Sequence, residues 1–281
     1  MSWFQERLYS DHSQMLAVER VLHEGRTAFQ EILLFENQTF GKVLVLDGVV
    51  QLTERDNHIY HEMLAHVPLQ AHGAPREVLI IGGGDGGTLK EVLKHPVTKA
   101  VMVELDRDVI EFSRRFLPDV SGGAFDDPRA DVIVSDGTRY VAETDQMFDA
   151  ILIDSTDPIG PGEPLFTAAF YADCRRRLRP GGMMAVQSGA PFFQRKELDQ
   201  VCGRLGKSFG GVRPFLAPVP TYAGGMLALV AAGDTADALT PPEEVLRERY
   251  AAIESKTRYY TPAIHRAAFV LPPTFEPKPE A

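Results

Sequence analysis

The sequence is poor in cysteine and has no long apolar run. Its 281 residues include two cysteines, Cys174 and Cys202, too few for the disulfide framework of a secreted protein and consistent with reduced thiols. Polar residues follow close behind Met1, and no apolar stretch approaches the length of about 18 residues that a membrane helix needs. We therefore expect neither a signal peptide nor a membrane span, and we expect a cytoplasmic protein.

Positive charge is also scarce. The chain has 29 Lys and Arg residues against 39 Asp and Glu residues, which gives a formal net charge of -10. Because binding to phosphate backbones needs a local surplus of basic residues, this balance argues against nucleic-acid and anionic-membrane partners. An acidic protein can instead attract small cationic molecules. The length allows one large domain, or a small domain and a medium one.

The first part of the chain has the pattern of a small antiparallel β domain, for which we expect the bounds 1–66. Asp47-Gly48 lies between two apolar segments and is a strong signal for a tight hairpin. A helix is expected from Asp56 to His66. The short alternating segments that predict strands are Met15–His23, Phe29–Phe35, Lys42–Leu46 and Val49–Thr53.

After Pro75 the pattern changes to apolar runs that alternate with helical stretches such as Thr88–Lys94 and Arg107–Phe116. Such runs imply strands buried on both faces of a parallel sheet, so we expect an α/β fold with a Rossmann-like, doubly wound sheet over residues 67–281. The Pro- and Glu-rich end from Leu271 to Ala281 is expected to fray. The predicted parallel strands are Val78–Ile81, Ala100–Leu105, Asp131–Ser135, Ala150–Asp154 and, after a break at Arg179–Gly182, Gly182–Gln187; Val212–Val219 and Met226–Ala231 are expected to form a terminal antiparallel pair.

A glycine-rich loop follows the first of these strands, at Gly82–Gly87. Alone it suits a dinucleotide as well as an adenosyl sulfonium. Asp85 inside the loop would repel a pyrophosphate and attract an ammonium group. Glu104 ends the next strand, where an acid can accept ribose hydroxyls, and Asp136-Gly137 ends the third. Either acid alone could equally be a helix N-cap or a solvated strand end, but together with the loop they indicate a nucleoside site.

Two carboxylates follow the fourth strand, Asp154 and Asp157, in a loop rich in Pro and Gly. They can converge on one cation at the mouth of the crevice; the alternative is an Asx-turn with a capping residue. A second group of polar residues, His58, His61-Glu62 and His66, lies on the predicted helix. His61 and His66 are spaced i, i+5 and not i, i+4 as in zincins, so we expect no metal site.

These motifs, with others along nearly the whole chain, resemble the spermidine synthase family. The resemblance implies an enzyme that transfers an aminopropyl group from decarboxylated S-adenosylmethionine to a diamine, typically putrescine, giving spermidine and methylthioadenosine without a cofactor. Cadaverine, agmatine and longer polyamines remain alternative acceptors. The rivals are a methyltransferase on the same fold, which Asp85 opposes, and a nucleoside-binding protein without activity. The residues that carry the resemblance are Gly82–Gly87, Val103–Asp106, Ile153–Pro161, Pro220–Tyr222 and Arg258–His265, and, nearer the start, Phe29-Gln30, Val45–Gln51, Thr53–Asp56 and Ile59–Met63.

The resemblance also implies residue roles and an assembly, a homodimer or homotetramer. Asp154 would be the proton acceptor, and Asp85 would hold the amine of the aminopropyl group. Tyr9 would be an apolar wall of the acceptor channel. The methylthioadenosine part would contact Gln30, Glu104, Asp136, Gly137 and Pro161, and the acceptor channel would be lined by Tyr60, His61, Asp157, Gln187 and Tyr222.

Overall fold

A computed structural model describes residues 2–253 and 257–278. The N-terminal part forms two antiparallel sheets, a hairpin of β1 and β2 and a four-stranded sheet in the order β3-β4-β5-β6. Asp47 and Gly48 both have positive φ, 48° and 80°, which identifies the expected hairpin turn between β5 and β6. The strands are β1 (Ser2–Gln5), β2 (Met15–Val18), β3 (Arg20–Arg26), β4 (Glu31–Asn37), β5 (Gly41–Leu46) and β6 (Val49–Thr53).

The expectation of one sheet with a continuous strand over Met15–His23 is wrong. That stretch is divided between β2 and β3, which belong to different sheets, and β1 was not expected. The reason is packing: the Phe4 ring lies 5.5 Å from the Phe35 ring, and Phe4 and Leu16 pack on the same apolar cluster. The hairpin therefore forms by covering β4, a long-range contact that local alternation does not reveal.

The second part of the chain forms a seven-stranded sheet in the order β12-β13-β11-β10-β7-β8-β9. The five strands from β11 to β9 run parallel, and β13 and β12 join antiparallel, as expected. The strands are β7 (Glu77–Gly82), β8 (Lys99–Glu104), β9 (Ala130–Val134), β10 (Phe148–Asp154), β11 (Leu178–Gln187), β12 (Gly211–Ala217) and β13 (Leu227–Gly233); the helices are α1 (Asn57–His72), α2 (Gly87–Leu93), α3 (Arg107–Phe116), α4 (Pro118–Ser121), α5 (Gly137–Glu143), α6 (Ala168–Arg177), α7 (Arg195–Gly206), α8 (Glu243–Tyr250) and α9 (Pro262–Ala268).

The break expected at Arg179–Gly182 lies inside β11 as an irregularity. Leu178 pairs with Phe148 of β10, and regular pairing resumes at Met183 opposite Ala150. Alternate residues of the sheet face opposite sides: Val78 and Ile80 of β7 belong to one apolar cluster and Leu79 and Ile81 to the other. The sheet is therefore covered on both faces, which is the burial that the apolar runs predicted.

Helix α1 connects the two parts of the chain. It is buried from Tyr60 to Ala71 and contributes to the apolar cluster on one face of the large sheet. The expected helix end at His66 is too early: α1 continues through Pro68 to His72 and stops at Gly73, whose φ is 89°. The first turn of α1 lies at the carboxyl ends of the large sheet's strands, because the Tyr60 hydroxyl contacts Asp154 at the end of β10.

The C-terminal segment is packed against α7 as far as it is described. The Lys278 N–H donates to Asp199 Oδ1 over 2.9 Å, and the Arg195 guanidinium donates to the carbonyls of Thr274 and Glu276. The expectation that the chain frays from Leu271 is therefore wrong up to Lys278, and residues 279–281 lie outside the described part. Within 2–253 and 257–278, none of the helices combines the length and apolar character required to span a membrane.

Candidate active site

A cavity of about 170 Å³ opens at the carboxyl ends of β7, β8, β9 and β10. Neighbouring strand positions bring together the glycine-rich loop after β7 and the acids at the ends of the other three strands. This is the crevice where doubly wound sheets bind ligands. All the residues predicted to contact the donor line this cavity: Gln30, Asp85, Glu104, Asp136, Gly137 and Pro161.

The glycine-rich loop lies directly on the backbone of the loop after β10. Gly83 N–H donates to the Asp154 carbonyl over 2.8 Å, and a Cβ on Gly82 would come within 2.0 Å of that oxygen. Gly82 also has a φ of 83°, a conformation that favours glycine. The absence of side chains at these positions allows Asp85 and Asp154 to approach each other.

Asp85 is held by the start of α2 and by α1. Its Oδ1 accepts the Gly87 N–H over 2.6 Å and lies 3.3 Å from His61 Nε2. Burial raises the pKa of the Asp85 carboxyl, but the charge of His61 and hydrogen bonds outweigh burial and hold that pKa below its usual value. Burial lowers the pKa of the His61 imidazole. The nearby carboxylates, chiefly Asp85, outweigh burial, so that this pKa lies above its usual value. Both shifts favour the ion-paired form of the two side chains, a protonated His61 beside an ionised Asp85.

His61 lies against Asp85 and lines the larger cavity. Its place in the acceptor channel stays a prediction. Tyr60 and His61 are consecutive on α1, so their side chains leave the helix about 100° apart and contact different groups, Asp154 and Asp85.

Asp154, at the end of β10, is buried beside this pair. Its Oδ1 accepts the Tyr60 hydroxyl over 2.7 Å. Its Oδ2 is also buried and has no hydrogen-bond partner among the described residues. Burial raises the pKa of the Asp154 carboxyl and the charge of Asp85 raises it further, while His61 opposes both effects. At a cavity wall, Asp154 therefore presents an oxygen without a hydrogen-bond partner in the described part of the chain, and its raised pKa suits the carboxyl group to accept a proton.

The acids on the other side of the cavity differ in how they are held. Glu104 Oε1 accepts the Asp106 N–H over 2.9 Å, and burial raises the pKa of the Glu104 carboxyl to about 7. Asp136 is the N-cap of α5: its Oδ1 accepts the Thr138 N–H over 2.7 Å. The alternative of a helix cap therefore holds for Asp136, and that residue nevertheless lines the cavity. Gln30 donates to Asp106 Oδ2 over 3.2 Å.

A second cavity of about 60 Å³ adjoins the first. Tyr9 lines it, and Gln187 connects it to the loop after β10 by donating to the Thr156 carbonyl over 3.0 Å. Tyr222 donates to the Gln51 carbonyl over 2.7 Å. The predicted acceptor residues that line it are Tyr60, Asp157, Gln187 and Tyr222, and the residues shared by both cavities are Gln51, Tyr60, Ser155, Thr156 and Tyr222.

Two polar residues of the second cavity were not predicted. Glu6 is 4% exposed and its Oε1 accepts the Val50 N–H over 3.0 Å; burial raises the pKa of its carboxyl. Gln194 donates to Asp157 Oδ1 over 2.7 Å. Neither lies in a motif, and each reaches the cavity through contacts with residues distant in sequence. The one sequence signal for Glu6 is an acid that follows the aromatic pair Trp3-Phe4. This pattern is too common to predict a site residue.

The polar residues of α1 do not converge on one point. Glu62 accepts three backbone N–H groups, from Arg258, Tyr259 and Tyr260, over 2.7 to 2.8 Å. His66 lies between Glu91 and His95. A different set does converge: ligand atoms of His61, Asp85 and Asp154 lie within 4.8 Å of one another. Two carboxylates and an imidazole at this spacing can hold a cation, either an ammonium group or a metal ion.

Comparison with known families agrees with this geometry. Residues 57–240 match the spermine/spermidine synthase domain, and residues 2–54 match the spermidine synthase tetramerisation domain. The chain belongs to the spermine/spermidine synthase family. The expectation of a polyamine aminopropyltransferase is confirmed at this level, since proteins of that name share about half of its residues.

Two of these relatives come from pseudomonads. Polyamine aminopropyltransferase 1 of Pseudomonas aeruginosa is 49% identical over 274 residues, which are 97% of this chain and 96% of the relative. Polyamine aminopropyltransferase of Pseudomonas syringae pv. tomato is 47% identical over 273 residues, which are 97% of this chain and 96% of the relative.

Solved structures of the family share the fold. A spermidine synthase in complex with the transition state analogue AdoDATO superimposes with a TM-score of 0.90 at 39% identity, covering 96% of this chain and 92% of the other. Spermidine synthase from Thermotoga maritima superimposes with a TM-score of 0.87 at 37% identity, covering 96% of this chain and 91% of the other. The α/β fold with a Rossmann-like sheet and a small N-terminal β domain is thereby confirmed.

Proposed function

We propose that this protein is a spermidine synthase, which transfers the aminopropyl group of decarboxylated S-adenosylmethionine to putrescine. The observation that carries the proposal is the arrangement of two adjoining cavities around one acid. Asp154 lies at the wall of the larger cavity, and its hydroxyl partner Tyr60 lines both cavities. A donor in the larger cavity and an acceptor in the smaller one would meet beside Asp154.

The larger cavity suits an adenosyl sulfonium with a cationic tail. Glu104 would accept the ribose hydroxyls, with Gln30, Asp136, Gly137 and Pro161 around the remaining adenosine part. Asp85, whose Oδ1 is already engaged by Gly87 and His61, would offer its other oxygen to the ammonium group of the aminopropyl chain. S-adenosylmethionine carries an additional carboxylate on this chain, which the Asp85 charge would repel.

The smaller cavity suits a short diamine. Asp157 and Glu6 both line it, and they would bind the far ammonium group of the acceptor. Gln187, Tyr222 and the Tyr9 wall limit its extent.

The reaction is a displacement at carbon. The amine nitrogen forms a bond to the carbon next to sulfur, the carbon–sulfur bond breaks, and its electron pair stays on sulfur, giving neutral methylthioadenosine. Because an alkylammonium of pKa about 10 has no lone pair, making it neutral near pH 7 costs about 4 kcal/mol. Asp154 would take the proton from the nitrogen with its unsatisfied Oδ2 and pass it to solvent, leaving spermidine.

The same proposal includes the expected partners and setting. No metal or nicotinamide cofactor takes part, because the leaving thioether is neutral and needs no Lewis acid. A homodimer or homotetramer is supported by the match of residues 2–54 to a tetramerisation domain. A cytoplasmic location is supported by the free thiols of Cys174 and Cys202.

Turnover with a panel of amines tests the proposal. The purified protein would be incubated with decarboxylated S-adenosylmethionine and, separately, putrescine, cadaverine, agmatine and spermidine, and the products would be identified by mass spectrometry. The expected result is spermidine and methylthioadenosine in equal amounts, with putrescine the fastest acceptor. Methylated amines from S-adenosylmethionine, or a faster reaction with another acceptor, would contradict it.

A further inference from the structure

Gln194 occupies a special position at the wall of the smaller cavity. It precedes the first residue of α7 and is 7% exposed. Its side chain turns into the cavity wall, between Tyr9 and Asp157, instead of capping the helix. A buried amide at a ligand cavity is costly unless its hydrogen bonds are satisfied, so its partners show what it holds in place.

The contacts fix the orientation of the Gln194 amide. Oε1 accepts the Ala190 N–H over 2.8 Å and the Tyr9 hydroxyl over 3.1 Å. Nε2 donates to Asp157 Oδ1 over 2.7 Å. If the amide were flipped, its NH₂ group would face the Ala190 donor and its oxygen would face a carboxylate. The side-chain N–H of Gln194 therefore donates to Asp157.

The turn before α7 is shaped around this amide. Gly189 has a φ of 71°, and a Cβ there would lie 2.4 Å from Gln194 Oε1. Any side chain at Gly189 would push the amide away from Asp157 and Tyr9. The absence of a side chain at Gly189 thus leaves room for the Gln194 amide. This fit indicates that the position of the amide is part of the structure of the cavity.

Asp157 depends on this contact. Over residues 2–253 and 257–278, Gln194 is the one side chain that hydrogen-bonds the Asp157 carboxylate. Burial raises the pKa of that carboxyl, and the Gln194 bond lowers it. The bond therefore favours the ionised carboxylate that an ammonium ligand requires, and it engages Oδ1 so that Oδ2 stays available.

We propose that Gln194 is a positioning residue for acceptor recognition, which holds Asp157 with Oδ1 bound and Oδ2 free for the far ammonium of the diamine. The inference rests on the proposed function, because it assigns the smaller cavity to the acceptor. Through Tyr9, the same amide also fixes the outer wall of that cavity. Gln194 would not touch the reacting atoms, so its loss should affect acceptor binding and leave donor binding intact.

Steady-state kinetics of Gln194→Met test this role. This substitution keeps the length of the side chain and removes its donor and acceptor. The KM for putrescine should rise about tenfold or more, the effect of losing a hydrogen bond to a charged group, while the KM for the donor stays within about twofold. The matched control is Gln200→Met on the same helix, where Gln200 accepts from Arg204; it should leave both constants unchanged.

A double-mutant cycle with Asp157→Asn distinguishes the positioning of Asp157 by Gln194 from a general disturbance of the cavity structure. If Gln194 acts through Asp157, adding Gln194→Met to Asp157→Asn should raise the putrescine KM by less than about twofold. An unchanged KM in the single variant, or the same tenfold rise in both backgrounds, would overturn the proposal. Absence of spermidine formation by the unaltered protein would instead overturn the proposed function.

A second variant covers the case in which Gln194→Met does not fold, as judged by its thermal unfolding midpoint. Gln194→Glu keeps an oxygen that accepts from Ala190 and Tyr9 but presents a second oxygen to Asp157. The putrescine KM should then rise at least as much as with Gln194→Met, at an unchanged donor KM. A putrescine KM equal to that of the unaltered protein would refute the role of the Gln194 N–H.

Discussion

At the scale of residues, Asp85, Asp154 and Asp157 are held in the same way. In each, Oδ1 is bound by the protein: by Gly87 and His61, by Tyr60, and by Gln194 respectively. We propose that the second oxygen of each binds a ligand. Three carboxylates fixed in this manner along two adjoining cavities match the three aliphatic amino groups of the two proposed substrates.

Replacement of Asp154 by Asn tests its part in proton transfer. Asn cannot accept the proton, so turnover should fall by about 10²–10⁴, the usual contribution of a general base. The affinity for methylthioadenosine should stay unchanged, since this product is uncharged and lacks the amine that Asp154 would deprotonate. Turnover assays measure the first quantity, and titration with methylthioadenosine measures the second. Turnover close to that of the unaltered protein would remove Asp154 from the mechanism.

The raised pKa of Glu104 predicts how ligand binding in the larger cavity depends on pH. Burial raises the pKa of its carboxyl to about 7. Under the proposed function, ribose hydroxyls would donate to the ionised form. Below that pKa the carboxyl must first lose a proton, so the affinity for methylthioadenosine should fall as pH drops from about 8 to about 6, by at most about tenfold per pH unit. Calorimetric titration should show this slope, and Glu104→Gln should abolish it. A pH-independent affinity in the unaltered protein would contradict the assignment.

Site residues near strand ends could be predicted from the sequence, because the carboxyl ends of parallel strands lie at the same edge of the sheet. Asp85, Glu104, Asp136 and Asp154 were found in this way. Gln194 and Glu6 could not be, because they reach the site from loops whose positions depend on distant packing. The pairing of His61 with Asp85 was missed for the same reason: the rotation of α1 about its axis is set by tertiary contacts.

At the scale of elements, the strands of the large sheet were predictable and the N-terminal hairpin was not. Strands buried on both faces leave unbroken apolar runs, as in β7 and β10. The hairpin of β1 and β2 has four residues in each strand and exposes one face, so it leaves a weak pattern. The extension of α1 beyond His66 was missed because Pro68, normally a helix breaker, is accommodated inside it. The boundary proposed after residue 66 falls within this helix and stays a prediction.

Helix α1 also leads to a test for metal. Its polar residues diverge, but His61 together with Asp85 and Asp154 could hold a cation. We expect exhaustive treatment with EDTA to leave turnover unchanged, because the charge partner in this set is the donor's ammonium. Loss of turnover after EDTA, with recovery on adding zinc, would show that the three residues hold a metal ion.

At the scale of the whole molecule, the N-terminal hairpin predicts self-association. Trp3 and Met15 lie on the same face of the hairpin and are 56% and 53% exposed. Light scattering at micromolar concentration should give a dimer or tetramer, and Trp3→Asp should shift it toward smaller species. Val270→Asp, at an exposed apolar residue outside the hairpin, serves as the control. A monomer of 31.1 kDa for the unaltered protein would contradict the expectation.

Under the proposed function, carboxylates bind the cationic groups of the substrates, and Asp85 would distinguish decarboxylated S-adenosylmethionine from S-adenosylmethionine. Asp85→Asn should cost decarboxylated S-adenosylmethionine a charge-assisted contact of about 1.5–3 kcal/mol. S-adenosylmethionine should lose a repulsion and bind as well or better, because its tail carries a carboxylate.

Calorimetric titration of both donors against the unaltered protein and Asp85→Asn measures this directly. The fold of the variant is checked by its affinity for methylthioadenosine, which has no charged tail and should bind both proteins equally. The ratio of the two donor dissociation constants should shift toward S-adenosylmethionine by at least about tenfold, or about 1.4 kcal/mol. An unchanged ratio would show that Asp85 does not select the donor, and the methyltransferase interpretation would then be favoured.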